Sequence, residues 1–95
     1  MKYTLTLNAT TQFRKDYKRM KKQGKNLSLL EFVIDTLLKE EPLPEKHHDH
    51  GLSGKYTGFR ECHIQPDWLL MYKQDKDRLI LTTFRTGSHA DLLKM

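Results

Sequence analysis

Cysteine is nearly missing from this chain: Cys62 is the only one in 95 residues. A lone cysteine excludes an internal disulfide framework and suits a reducing compartment, the cytoplasm. Cys62 falls in a strand pattern and reads as a small buried hydrophobe rather than a nucleophile. Long hydrophobic runs are missing too. The continuous run Trp68–Tyr72 is five residues, against the roughly 20 that a membrane span requires, so no membrane partner is expected. The segment Met1–Leu7 alternates in polarity and is too short and polar for the apolar region of a secretory signal. Internal repeats, linkers and low-complexity tails are absent. The hydrophobic fraction of 37% still suffices for folding, and a chain of this size is expected to make one domain, residues 1–95, around a small core.

Acidic charge is scarce where basic charge is densest. Between Arg14 and Lys25, the side chains Arg14, Lys15, Lys18, Arg19, Lys21, Lys22 and Lys25 face Asp16 alone. That segment carries more positive charge than the chain's net +5, so the basicity is a local patch. Such a patch is an electrostatic footprint for a polyanion, with Arg14, Lys15, Lys18, Arg19, Lys21 and Lys22 as candidate nucleic-acid contacts. The competing reading is a solvated helix face.

Periodicity places the elements. Lys2–Leu7 alternates as a strand with Tyr3, Leu5 and Leu7 on one face. Asn8 or Thr10 caps a helix in which Ala9, Phe13, Tyr17 and Met20 form a core stripe and Gly24 is the stop. Ser28 and Glu31 have the form of a capping box for a second helix running to about Glu40, ended by Pro42. From Glu41 to Tyr56 no period survives, and a loop this long is usually functional. Thr57–Ile64, Trp68–Tyr72 and Arg78–Arg85 read as three strands, the middle one apolar on both faces. Pro66-Asp67 and Asp75-Lys76-Asp77 make the turns between them. In the last strand Leu79, Leu81, Thr83 and Arg85 share a face, and Ser88-His89-Ala90-Asp91 resembles a capping box opening a short C-terminal helix. The expectation is an α+β domain of order β-α-α-β-β-β, a helical hairpin on a four-stranded, mostly antiparallel sheet.

The chemistry-bearing residues collect at strand ends. His63, Asp67, Arg85 and His89 should meet at one edge of that sheet, since they lie at the ends of the second and fourth strands and the start of the third. An imidazole pair, a carboxylate and a guanidinium supply a base, an acid and a cation, which is what metal-free RNA cleavage needs. The amides at the start of the last helix could hold a phosphate, and Arg85 could grip it bidentately. Each residue also has a structural reading: Asp67 as a turn-former, His63 as a satisfied strand histidine, Arg85 as half of a salt bridge, with Asp67 a candidate partner. His47-His48-Asp49-His50 invites a metal, but adjacent residues rarely all face one ion, so no metal is expected. His47 and His48 read as solvated loop side chains, while the Gly-rich stretch after His50 can fold that residue back onto the sheet.

The spaced set Asp49-His50-x-Leu52-x-Gly54, Gly58-Phe59-Arg60-Glu61-x-His63-x-x-Pro66-Asp67-Trp68-x-Leu70-x-Tyr72-Lys73 and Arg85-Thr86-Gly87-Ser88-His89 resembles the YafQ group of bacterial toxins, within the RelE/ParE superfamily of type II toxin–antitoxin systems. The resemblance covers essentially the whole chain. It implies a toxin that is a ribosome-dependent mRNA endoribonuclease, with no cofactor, in which the 2′-OH attacks the adjacent phosphate to leave a 2′,3′-cyclic phosphate and a 5′-OH. It further implies His50, His63, Asp67, Arg85 and His89 as catalytic residues, with Asp67 as base, His89 as acid, Arg85 on the phosphorane, and His50 and His63 positioning substrate or sharing proton transfer. Trp68 becomes a candidate stacking surface for a base, with core packing at the hairpin as the equal alternative. Leu93 stands where the group carries an aromatic residue against RNA. The implied partners are a cognate antitoxin, the 70S ribosome with mRNA in its A site, ribosomal RNA, and operator DNA only through the antitoxin. A ParE-like gyrase poison and a non-catalytic nucleic-acid-binding module are the alternatives. Neither needs His63, Asp67 and His89 at one sheet edge.

Overall fold

The computed structural model describes residues 3–93, with the side chains of residues 3–92; Lys2 and the side chain of Leu93 lie outside the described residues. The first strand, β1, spans Thr6–Ala9 and starts later than its alternation suggests. Of the expected apolar face only Leu5 is buried, while Tyr3 and Leu7 are exposed. Thr10 then caps α1 (Thr11–Lys22) by accepting from the Phe13 amide. Gly24, at φ 75°, ends that helix: the Lys25 amide returns to the Met20 carbonyl and the Gly24 amide to Lys21. The second helix, α2 (Leu27–Leu38), is capped by Asn26 rather than by Ser28. The Asn26 carboxamide oxygen accepts from both the Ser28 amide and the Ser28 hydroxyl, so the expected capping serine is itself a first-turn residue.

The sheet has five strands, not four, and is mixed. Its order is β1-β5-β4-β3-β2, with β2 (His50–Gly51), β3 (Arg60–Gln65), β4 (Trp68–Asp75) and β5 (Ile80–Gly87). β1 runs parallel to β5, and the other pairs are antiparallel. The added strand β2 is two residues from the long loop, and two 3-10 turns, Glu45–His47 and Gly54–Tyr56, flank it. Pairs this short carry no periodic signal. α3 (His89–Leu93) closes the described chain.

One sheet face is closed by the helices. Phe13, Met20, Leu30, Val33 and Leu37 pack on Cys62, Ile64, Trp68, Leu70, Tyr72 and Leu81. Burial pushes the Cys62 thiol up to about 12, as fits an inert core residue. The central strand β4 is buried on both faces from Trp68 to Tyr72, as its apolar run predicts. Trp68 is wholly enclosed, and its indole N–H donates to the Thr86 hydroxyl at 2.9 Å. It therefore cannot stack on a base; it joins the start of β4 to the end of β5.

A bulge decides which residues share the other face. Met71 pairs with Arg85 but Tyr72 pairs with Thr83, so Phe84 is an extra residue in β5. Simple alternation would put Arg85 with Leu81 and Thr83. The bulge reverses the parity, turning Thr86 into the core and Arg85 to the open face. There it falls in a cross-sheet row with Met71, Glu61 and His50, which pair in register.

If Trp68 is a core residue, Trp68→Ala should cost about 3–5 kcal/mol in denaturant unfolding. An exposed stacking residue would lose within roughly 0.5 kcal/mol.

Candidate active site

Asp67 and His89 meet. The tight turn after β3 presents Asp67, and a true reciprocal cap fixes His89: the Asp91 amide donates to the Ser88 hydroxyl at 3.1 Å and the Ser88 amide to the Asp91 carboxylate at 3.0 Å. The His89 backbone amide then donates to Asp67 Oδ1 at 3.0 Å, and His89 Nδ1 lies 2.6 Å from the same oxygen. These bonds, from the amide first and the ring second, hold the Asp67 carboxyl below the usual carboxylate range. They also occupy the Ser88, His89 and Asp91 amides, so the expected amide cradle for a phosphate is already filled by Asp67 and the cap.

His63 extends the pair across the open face. Its ring centroid lies 5.6 Å from that of His89, with the planes at 62°. His48 lies 5.6 Å beyond His63 on the other side. His48 thus enters the cluster instead of standing in solvent as a loop side chain, and it does so in a left-handed backbone conformation, φ 46°. A non-glycine residue held there is a local cost that surrounding contacts must offset. His47 is buried, and its Nδ1 meets the His63 carbonyl at 2.7 Å. His50 shares the open face but contacts other groups, with Nδ1 at 2.8 Å from the His48 carbonyl and Nε2 at 3.6 Å from Glu61.

The loop that carries these histidines is pinned by Asp49. Its carboxylate takes the Tyr72 hydroxyl at 2.5 Å and pairs with the Arg60 guanidinium at 3.3 Å. Burial, and then the bond to Asp49, push the Tyr72 phenol up, keeping it a donor. Asp49 therefore stands between His48 and His50 as an anchor, not as a ligand.

Arg85 is salt-bridged, but to Asp16 rather than Asp67. Its Nε and Nη2 lie 2.8 and 3.2 Å from the Asp16 carboxylate. Asp16 is wholly buried and also accepts from the Thr86 amide at 3.2 Å, Arg19 Nη1 at 3.1 Å and Gln12 at 3.2 Å. β1 pairs with β5 only as far as Thr83, so the Thr86 amide is an open sheet edge that this carboxylate closes. Burial works against ionisation of Asp16, but the donors, Arg85 foremost, outweigh it and hold the carboxyl below its ordinary range. Arg19 is spent on this network, donating to Asp16, Asp91 and the Thr86 carbonyl. Of the basic patch, Arg14, Lys15, Lys18, Lys21 and Lys22 remain exposed. Lys25, at the same helix end, places its ammonium 5.9 Å from the Trp68 ring centroid and helps keep Asp67 ionised.

Sequence reasoning thus missed Asp16, His48, Asp49 and Lys25 as parts of the site. Asp16 carried a usable signal. It is three residues after Phe13 and four before Met20, on the core stripe, and the sole acid among seven bases.

A helical hairpin on a mixed sheet whose open face carries an aspartate–histidine pair is an α+β arrangement consistent with the small toxins of the RelE-like class. The sequence model described as "Bacterial toxin of type II toxin-antitoxin system, YafQ" matches residues 5–94. The chain belongs to the YafQ family of bacterial toxins of type II toxin–antitoxin systems. It is 40% identical over 83 residues to the mRNA interferase toxin YafQ of Escherichia coli K12, covering 85% of this chain and 87% of that protein. A metal-bound toxin from Helicobacter pylori superimposes with a TM-score of 0.88 at 43% identity, over 93% of this chain and 98% of that one. YafQ in the crystal structure of the E. coli DinJ–YafQ toxin–antitoxin complex gives 0.86 at 34% identity, over 94% and 97%.

Asp16→Ala should cost about 3–5 kcal/mol, because it leaves Arg85 and the Thr86 amide without their acceptor. Asp16 is held below its unfolded value, so its contribution is present above roughly pH 4 and is lost as pH falls through the lower folded value. Chemical denaturation of the wild type and Asp16→Asn should show a constant gap from neutral pH down to roughly pH 4, which then closes as pH falls through the lower folded value.

Proposed function

We propose that this chain is an mRNA interferase: an endoribonuclease that cuts mRNA on the translating ribosome and so stops translation. The observation that carries the reading is the direct bond between Asp67 and His89 Nδ1, with the His63 ring 5.6 Å from that of His89. Two imidazoles this far apart can flank one phosphodiester. His63 takes the proton from the ribose 2′-OH, whose oxygen attacks the adjacent phosphorus. The bond from phosphorus to the 5′-oxygen breaks, and His89 gives that oxygen its proton. The products are a 2′,3′-cyclic phosphate and a 5′-OH, and atoms balance without water or a metal.

The direct bond moves Asp67 from base to orienting partner. Its carboxylate fixes the hydrogen on Nδ1, leaves Nε2 facing substrate, and balances the charge of the imidazolium. Arg85 stabilises the phosphorane. Asp16 holds its Nε and Nη2, and Nη1 has no acceptor among the described residues, so that nitrogen is the one turned to phosphate. His50, paired with Glu61 in the same row of the sheet, positions substrate. The H. pylori toxin is a metal-bound structure; among the described residues of this chain no three His, Cys, Asp or Glu side chains form a group fit for an ion, and no step here passes through one.

Arg14, Lys15, Lys18, Lys21 and Lys22 would meet ribosomal RNA, with Lys25 leading from that patch to Asp67. A cognate antitoxin would cover the open face, as expected for a toxin whose E. coli relative crystallises with DinJ; its DNA-binding part would reach operator DNA. No described helix is long and apolar enough to cross a membrane, and cytoplasmic action is the proposal. A gyrase poison has no use for the imidazole cluster.

His89→Ala should abolish growth arrest and the new 5′-OH transcript ends while ribosome binding persists; full toxicity of that variant would refute the enzymatic reading. Ribosome affinity should fall on the order of 10²-fold between 50 and 200 mM salt if five phosphate contacts form. Binding indifferent to salt would remove α1 from the interface.

A further inference from the structure

Beside the catalytic cluster lies a groove that the mechanism does not use. It has a volume of about 930 Å³ and runs between α2 and the His47–Pro66 side of the sheet, lined by Leu29, Phe32, Lys46, His47, His48 and His63 among others. Three observations separate it from a simple packing defect. Phe32 presents an aromatic ring that is 53% exposed, on a helix whose other large apolar side chains are mostly covered. The groove is continuous with the proposed active site, because His63 belongs to its wall and also touches the His89 ring. And His47 is 6% exposed with its Nε2 unpartnered among the described residues.

The last point carries chemical information. His47 Nδ1 faces the His63 carbonyl at 2.7 Å. A carbonyl only accepts, so Nδ1 carries the hydrogen, and in the neutral ring Nε2 is a bare acceptor. A buried acceptor with no donor is costly. The Phe32 ring lies 6.4 Å from the His47 ring, centroid to centroid, and as an exposed side chain it can turn aside.

We infer that this groove is a nucleobase subsite, which receives the base of a nucleotide flanking the scissile phosphate and prefers a base with an exocyclic amino group. The inference rests on the endoribonuclease reading. A planar base stacks on Phe32 and the His48 ring, which is sequence-tolerant attraction. Its amino group donates to His47 Nε2 as Phe32 shifts from its place beside the His47 ring onto the face of the base, and this is the discriminating contact. Adenine and cytosine carry that donor where uracil carries a carbonyl. Lys46, exposed at the groove's mouth, pairs with a phosphate of the same strand. An apolar side chain from a protein partner would fill the groove but leave Nε2 unpaired, which is why the base is the better occupant.

The test uses the purified full chain on ribosomes programmed with mRNAs that differ by one base on either side of the cut, with Phe32→Ala, Phe32→Trp and Lys46→Gln. The expected result is a loss of roughly tenfold or more in kcat/KM for Phe32→Ala, carried mostly by KM, with flattened discrimination against uracil at one flanking position. Phe32→Trp should restore both, and Lys46→Gln should raise KM alone. Phe32 is exposed, so Phe32→Ala should melt as the wild type does; if it does not fold, the Phe32→Trp and Lys46→Gln profiles decide. Unchanged rate and base profile in these variants overturns the inference. So does a Phe32→Ala protein that cuts normally but loses antitoxin affinity, which would make the groove a protein contact. A wild type that leaves every mRNA whole while arresting translation defeats the endoribonuclease reading instead, and is told apart by that control.

Discussion

Asp16 has no access to water, and a carboxylate in that position is tolerable only with donors on nearly every lone pair. Arg85, Arg19, Gln12 and the Thr86 amide supply them. This one group therefore does three mechanical jobs. It closes the sheet edge where β1 stops, it fixes α1 against β5, and it aims Arg85. Because Arg19 continues from Asp16 to Asp91, and Asp91 caps the helix that bears His89, the network reaches from the first helix to the last. Gly87 lies inside that junction: a Cβ there would come within 2.8 Å of the Asp91 carboxylate and 2.9 Å of Arg19. This end of the fold is held by charge and hydrogen bonds, while the apolar core lies beneath it.

The two faces of the sheet divide the labour. The helix-covered face excludes water and supplies stability. The open face carries the row His50, Glu61, Met71 and Arg85 and, beside it, the rings of His48, His63 and His89. Functional side chains on strands are better positioned than on free loops. The one loop that contributes, residues 41–56, is pinned by Asp49 on Arg60 and Tyr72, so its histidines gain a fixed geometry as well. The rings of His48 and His89 are exposed and that of His63 is half-buried, so the three lie on the surface of the sheet and outside the apolar core. The basic face of α1 is exposed, and Lys25, just beyond the helix, sits over Trp68 close to Asp67. The basic patch and the Asp67–His89 pair are in this way contiguous.

Much of the fold was legible. Phe13 and Met20 on α1, Leu30, Val33 and Leu37 on α2, and the doubly buried Trp68–Tyr72 run all follow from spacing. The Ser88–Asp91 cap was readable as a motif and formed with both bonds. Other signals misled for physical reasons. Ser28 lost the cap to Asn26, whose carboxamide oxygen accepts from the Ser28 amide and starts the helix two residues earlier. Tyr3 and Leu7 alternate but lie outside the core, because β1 is an edge strand beginning at Thr6. Of the site, His63, Asp67 and His89 converge as their places at strand ends imply. His48 and Asp16 do not announce themselves, since what recruits them is a neighbour distant in sequence.

The chain by itself determined the apolar stripes, the caps of the first and last helices, the turn at Pro66-Asp67, the basic helix and the order of the longer elements, because each depends on side chains within a turn or two of one another. Only tertiary structure decided which way Arg85 points, that its partner is Asp16, and that His48 stands next to His63. Those outcomes turn on a one-residue bulge opposite Met71 and on a buried charge seeking donors 69 and 70 residues away. Strand parity and the satisfaction of a desolvated carboxylate are properties of the assembled sheet, and no local pattern encodes them.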